Sequence, residues 1–177
     1  MIYFLFAILV VGADQLVKTM IRSNLVPGDV INVYQDILKI TYVNNKGAAF
    51  GFLSGQNRVL LAIPLIIIAA LFVFILMSKS MHPLARYALT LIAAGGTGNL
   101  IDRILYGQVT DMLSLSFFSP VFNIADIAVT LGCILIIIYA IFADRFNNAR
   151  TAAEQKRSER RGRRAKTKGK HSAGRKK

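Results

Sequence analysis

Asp111 and Asp126 stand fifteen residues apart, on either side of a short break between two long apolar runs. A carboxylate at the edge of hydrocarbon is costly, so its presence there needs a reason. One re-entrant turn would bring the two together. Close carboxylates cannot both ionise freely, because each charge raises the pKa of the other. Such a pair supplies one acid and one base near neutral pH, the equipment of aspartyl proteolysis. Other hydrolytic chemistries lack their parts. There is no His-Glu-x-x-His pattern for a zinc protease. The two histidines, His82 and His171, lie in polar segments away from the aspartates, and Ser54-Gly55 has no His partner within an apolar run. Acid–base chemistry on two carboxylates calls for no metal and no organic cofactor.

These residues must be positioned by the apolar runs around them. The chain has 177 residues, 54% of them hydrophobic. Four runs stand out, at about 2–20, 59–77, 84–105 and 121–143, and each approaches the ~20 residues that span hydrocarbon as a helix. Four helices of a soluble bundle would carry polar outer faces at helical spacing; Ala62–Met77 and Gly132–Phe142 carry none. The first run has no basic leader and no small-x-small cleavage site after it, so it reads as a retained span. The expected fold class is membrane all-α, with four transmembrane helices and a small extracytoplasmic β platform at about 22–57. In that platform Val30–Tyr34 and Ile37–Val43 are β-branched and aromatic, and Pro27-Gly28-Asp29 is a turn signal. Two or three short strands are expected there, with a further strand or lip from 106–118. Ser119-Pro120 suits an N-cap and first helical position. That start would put Asn123 and Asp126 on one face, one turn into the fourth helix.

The net charge of +13 is unevenly placed. Residues 144–177 hold 14 of the 22 Lys and Arg and 3 of the 9 acids, a net +11, against +2 for the rest. The expected organisation is a membrane domain over 1–147 and a basic tail over 148–177 too polar to fold alone. Positive charge beside a span favours the cytoplasm. Both termini are then cytoplasmic, and the two aspartates lie near the extracytoplasmic face. A basic cluster next to a span meets anionic lipid at about 1 kcal/mol per charge. No aromatic residue follows Phe146, so no nucleic acid is expected, and the chain is expected to be a monomer. The one cysteine, Cys133, cannot close an internal disulfide and is expected to be a small buried apolar residue.

Other polar groups fall at helical spacings. Asp14 and Lys18 are i,i+4 and suit an ion pair that neutralises both in the membrane. Asn45 and Gly47 open a small-residue stretch, 47–51, that permits close backbone approach. Gly95, Gly96 and Gly98 permit tight helix contact. Asn99, Asp102 and Arg103 follow within one turn and are expected to point into one polar cavity, where Arg103 would hold a substrate carbonyl or pair with a carboxylate. Asp102 and Arg103 also suit an interfacial ion pair. Two rival readings make distinct demands. A proton-coupled transporter would string Asp14, Asp102, Asp111 and Asp126 along one path, whereas a protease needs only Asp111 and Asp126 to converge. A membrane anchor displaying the tail would need neither.

Taken in order, Asp14-Gln15, Asn45-Lys46-Gly47-Ala48-Ala49-Phe50, Gly98-Asn99-Leu100-Ile101-Asp102-Arg103, Val109-Thr110-Asp111 and Phe122-Asn123-Ile124-Ala125-Asp126 resemble the ordered motifs of the signal peptidase II family. The resemblance covers about residues 14–132 and omits the tail. It implies an intramembrane aspartic endopeptidase of the bacterial cytoplasmic membrane. Such an enzyme would remove signal peptides from diacylglyceryl prolipoproteins, cutting before the lipidated cysteine, and would be sensitive to globomycin. It implies Asp111 and Asp126 as catalytic residues, and Asn45, Gly47, Asn99, Arg103 and Asn123 as residues lining the active site. It implies supporting roles for Asp14 and Lys18, to which Asp102 is added from its place in the motif. Met112 departs from the family's usual aromatic after the first aspartate.

Overall fold

Buried residues of the first helix, α1 (Ile2–Asn24), include Ala7, Asp14, Lys18 and Ile21, a stripe at spacings of seven, four and three. The opposite face carries Phe4, Leu5, Ile8, Leu9, Leu16 and Met20, all exposed. Charged residues inside and apolar residues outside is the reverse of a soluble helix, and only an apolar solvent stabilises it. This is a computed structural model that describes residues 2–47, 57–78, 80–145 and 148. The stretch 48–56, the serine at 54 and the tail beyond 148 lie outside the described residues. So does His171.

Among the described residues, three helices are long and apolar enough to cross a membrane: α1, α2 (Asn57–Met77) and α4 (Ile124–Arg145). Pro64 lies inside α2; membrane helices tolerate this where neighbouring groups meet the freed carbonyl. Between α2 and α4 runs α3 (Pro83–Tyr106), as long but more polar. Pro83 sits at its start after His82, whose Nδ1 accepts from the Leu84 amide at 3.2 Å. Gly107 ends it at φ 70, a left-handed conformation that glycine adopts without strain, and its amide donates to the Arg103 carbonyl. Ala85, Ala88, Ala93, Ala94, Gly95 and Gly98 are buried on α3. These small residues let α1, α2 and α4 approach it closely. The chain forms two compact units, 1–137 and 138–177. In the second, the described residues include the last turns of α4, where Arg145 lies over the Phe142 ring.

Strands form where they were expected, within 30–45 and 109–115, and residues 118–122 add one more. One antiparallel sheet runs in the order β1 (Val30–Tyr34), β2 (Leu38–Asn45), β3 (Val109–Leu115), β4 (Phe118–Phe122). Half of it comes from the segment after α3. Non-local pairing of this kind leaves little mark on local sequence. In register, Val43 faces Asp111 and Asn45 faces Val109, with an irregularity between Ile40 and Val43.

Three expectations are corrected. Ser119 and Pro120 do not start the fourth helix; they lie in β4, the sheet's edge, where the missing proline N–H costs no ladder bond. The helix begins at Ile124. Cys133 is exposed on α4 rather than buried; on a membrane helix apolarity does not separate the inner from the outer face. Asp102 does not share the cavity of Asn99 and Arg103, for the reason given below.

Candidate active site

Asp111 sits on β3 and is 2% exposed. Its two oxygens accept from two asparagines: Oδ1 from Asn123 Nδ2 at 2.6 Å and Oδ2 from Asn45 Nδ2 at 2.8 Å. Asn45 reaches it diagonally across the β2–β3 ladder, which is the reach a long polar side chain has there. Asp126 sits in the first turn of α4. Its Oδ2 accepts from the Asn123 backbone amide at 3.1 Å, and Asn123 Oδ1 accepts from the Asp126 amide at 2.9 Å. This is the reciprocal box that closes a helix N-terminus, with Asn123 as the cap. Asp126 Oδ1 accepts from Asn99 Nδ2 at 2.7 Å. Asn123 therefore touches both acids, through its side-chain amide on one and its backbone on the other.

The two aspartates differ in setting. Burial pushes the Asp111 carboxyl up from 3.8 to about 6, a larger effect than the opposing donors Asn45 and Asn123, and the nearby Asp126 raises it too. Asp126 is half-buried, in the first turn of α4, where its Oδ2 closes the helix N-terminus on the Asn123 amide. Both acids line a cleft of about 780 Å³ together with Asn45, Asn99, Arg103 and Asn123. Apart from Thr130, the rest of the lining is apolar, from Leu115, Phe117, Phe118, Val121, Phe122 and Leu131 among others. Arg103 Nη2 donates to the Gly47 carbonyl at 3.1 Å, tying α3 to the turn that follows β2.

Asp102 lies about 100° round the helix from Arg103 and turns to the other side of α3. There it meets a buried cluster built on α1. Lys18 Nζ is 2.9 Å from Asp14 Oδ2 and 3.4 Å from Asp102 Oδ2, with all three side chains at most 1% exposed. The same ammonium donates to Asn99 Oδ1 at 2.8 Å. Asp102 Oδ2 accepts from the Thr110 amide at 2.9 Å, one residue before Asp111. Asp14 Oδ1 accepts from the Ala125 amide at 2.9 Å, one residue before Asp126. Gln15 donates to Asp14, Asp102 and the Gly98 carbonyl, and Arg22 to Asp102 and Thr110 Oγ1. Arg22 escaped the sequence reading, and Thr110 was quoted there only within the motif around Asp111, with no role of its own. The progression Asp14, Lys18, Arg22 at i,i+4 was the signal that could have found Arg22.

Asp14→Ala is expected to cost about 3–5 kcal/mol of stability, because it strips a buried ammonium of its nearest counter-charge and leaves the Ala125 amide unmet. A thermal melt in detergent checks this. An unchanged melting temperature would show the pair to be dispensable for folding.

Comparison with known proteins bears on what this arrangement does. The family described as signal peptidase (SPase) II matches residues 6–142. A lipoprotein signal peptidase of Clostridium acetobutylicum is 37% identical over 135 residues, covering 74% of this chain and 88% of that protein. The enzyme of that name from Staphylococcus aureus strain Newman is 40% identical over 146 residues, covering 81% and 89%. A bacterial membrane enzyme solved by the in meso method at 2.3 Å superposes with a TM-score of 0.75 at 39% identity, covering 82% of this chain and 90% of that one. A buried aspartate on β3 and a half-buried one in the first turn of α4, sharing one largely apolar cleft in a chain that matches these relatives across most of its length, identify the protein as belonging to the signal peptidase II family, a protease that removes signal peptides in lipoprotein maturation.

Proposed function

We propose that Asp111 and Asp126 are the catalytic pair of an aspartic endopeptidase that cuts diacylglyceryl prolipoproteins immediately before the lipidated cysteine. The observation that carries this is Asn123, which holds one oxygen of each acid in the same cleft. Asp126, as carboxylate, takes a proton from the attacking water. Asp111, as acid, donates to the scissile carbonyl oxygen as the tetrahedral intermediate forms. The proton taken up by Asp126 then goes to the amide nitrogen; the C–N bond breaks as the gem-diol returns a hydroxyl proton to Asp111, releasing the signal-peptide carboxyl group and the free α-amino group of the cysteine. Each such transfer is worth about 10²–10⁴-fold. The apolar lining from Leu115 to Leu131 suits the acyl chains and the signal-peptide side chains. Arg103 and Asn45 border the scissile bond, and Gly47 supplies the carbonyl that steadies Arg103. Globomycin would compete for this cleft. The test is cleavage of a diacylglyceryl prolipoprotein by Asp111→Asn and Asp126→Asn variants beside an unlipidated control substrate. Cleavage of the control at the rate of the lipidated substrate would remove the substrate assignment.

The fourth span in this reading is α3. Its 24 residues reach about 36 Å at 1.5 Å per residue, and its polar groups Asn99, Asp102 and Arg103 are met by protein partners. Both termini are cytoplasmic and the cleft opens near the extracytoplasmic face, as the basic residues after α4 favour. The tail 148–177 meets anionic lipid, and the enzyme works as a monomer. A transporter is disfavoured because Asp14 and Asp102 are paired with Lys18 and Arg22 behind α3 rather than strung along the cleft.

The pH profile follows from Asp111. The acid form is required, so kcat/KM is expected to fall as pH rises through about 6, the value to which burial lifts this group in the free enzyme. Bound substrate excludes more water and holds the proton to higher pH, so the descending limb of kcat should lie above that of kcat/KM. Superimposable limbs, or a rise in kcat/KM across pH 6, would contradict the assignment of Asp111 as the acid.

A further inference from the structure

We infer that Lys18 is a positioning residue for the catalytic step: by holding the Asn99 carbonyl it forces the Asn99 amino group onto Asp126. The inference rests on the reading of Asp126 as catalytic and names what keeps that group in register.

An ammonium has three donors and no acceptor. Lys18 directs them at three oxygens: Asp14 Oδ2, Asp102 Oδ2 and Asn99 Oδ1. Asn99 lies between that cation and the Asp126 carboxylate, which it meets at 2.7 Å through Nδ2. An asparagine side chain offers an acceptor at one corner and donors at the other. In the observed orientation both contacts are favourable. Turned over, its amino group would face the ammonium and its carbonyl the carboxylate, so both contacts would be repulsive. A buried cation 0% exposed to solvent thus sets the hydrogen bond received by an acid it never touches. Lys18 also sits between Asp14, which accepts from the amide before Asp126, and Asp102, which accepts from the amide before Asp111. The starts of α4 and β3 are referred to one point.

The test is steady-state kinetics of the full chain in detergent on a diacylglyceryl prolipoprotein, counted per folded molecule from a thermal melt. Lys18→Met keeps the length and removes the donor. Lys18→Met with Asp102→Asn removes one negative charge as well, so the cluster stays balanced and the substituted amide can still accept from Thr110. Both are expected to lower kcat by about 10–100-fold, as loss of register at a reacting group does, with KM within about twofold. Wild-type kcat in folded Lys18→Met, or recovery of kcat in the double variant, would overturn the inference, because Lys18 would then serve charge balance alone. Asp126→Asn is assayed alongside. Activity in that variant would sink the catalytic reading itself; an inactive Asp126→Asn with a fully active Lys18→Met would sink only the role of Lys18.

Discussion

Asp126→Asn is expected to lower turnover by at least about 10³-fold while the protein stays folded and inserted, and Asp111→Asn to do the same. The magnitude comes from removing a general base or acid, worth about 10²–10⁴-fold each, from a pair in which neither acid works alone. The change is nearly isosteric, so it isolates the chemistry. Its structural cost can be read from the neighbours. Asp126 accepts on both oxygens, from Asn99 and from the Asn123 backbone. An amide there places an amino group against one donor, at about 1–3 kcal/mol for an unmet buried group, and Asn99 cannot turn to relieve it with Lys18 on its far side. Asp111 is in the same position between Asn45 and Asn123. Each variant should therefore melt a few degrees lower and yet be inactive well below that melt. Full cleavage by either would remove the pair from the mechanism.

The second large effect is expected at Gly95, in the contact between α3 and α4. A Cβ there would lie 2.4 Å from the Ala125 carbonyl oxygen and 2.8 Å from Val129 Cγ2. Backbone cannot swing aside as a flexible side chain can, so Gly95→Ala must push the helices apart. Overpacking costs about 1–3 kcal/mol, against which better helix propensity returns at most about 1 kcal/mol. The displaced carbonyl belongs to the residue before Asp126, so the substitution also separates Asp126 from Asn99. Activity should fall by about 10²-fold, as misplacement near 1 Å does, together with a lower melting temperature. Gly12→Ala is the control: a Cβ there meets nothing within 4 Å, and it should leave both properties near wild type. Equal behaviour of the two variants would show that close helix contact is not what Gly95 provides.

Much of this was legible from residue type and spacing. All-round apolarity marked α2 and α4, and a long apolar run broken only by Asp14 and Lys18 marked α1. Asp14 with Lys18 was legible because i,i+4 spacing leaves a buried charge few other partners. Asn45, Asn99, Arg103, Asp111, Asn123 and Asp126 were all singled out, and all line one cleft. The failures share a cause. Ser119-Pro120 carries the local signs of a helix start, but a strand edge uses the same residues for an unrelated reason. Asp102 was placed in the cavity because it lies i,i+3 from Asn99, but Asn99 bridges two sides: its Oδ1 meets the Lys18 cluster that Asp102 joins, and its Nδ2 meets Asp126. The sheet was underestimated at β4, whose residues read as a helix start, and in the pairing of β3 with β2, some seventy residues earlier in the chain, which no local pattern records.

Asn123 closes the first turn of α4 and binds both acids, Asp111 through Nδ2 and Asp126 through its backbone amide. Fraying that single turn would disarm the protease while leaving its spans intact. Heat inactivation should therefore run ahead of the loss of helical circular dichroism on warming, and a tightly bound occupant of the cleft should bring the two curves together.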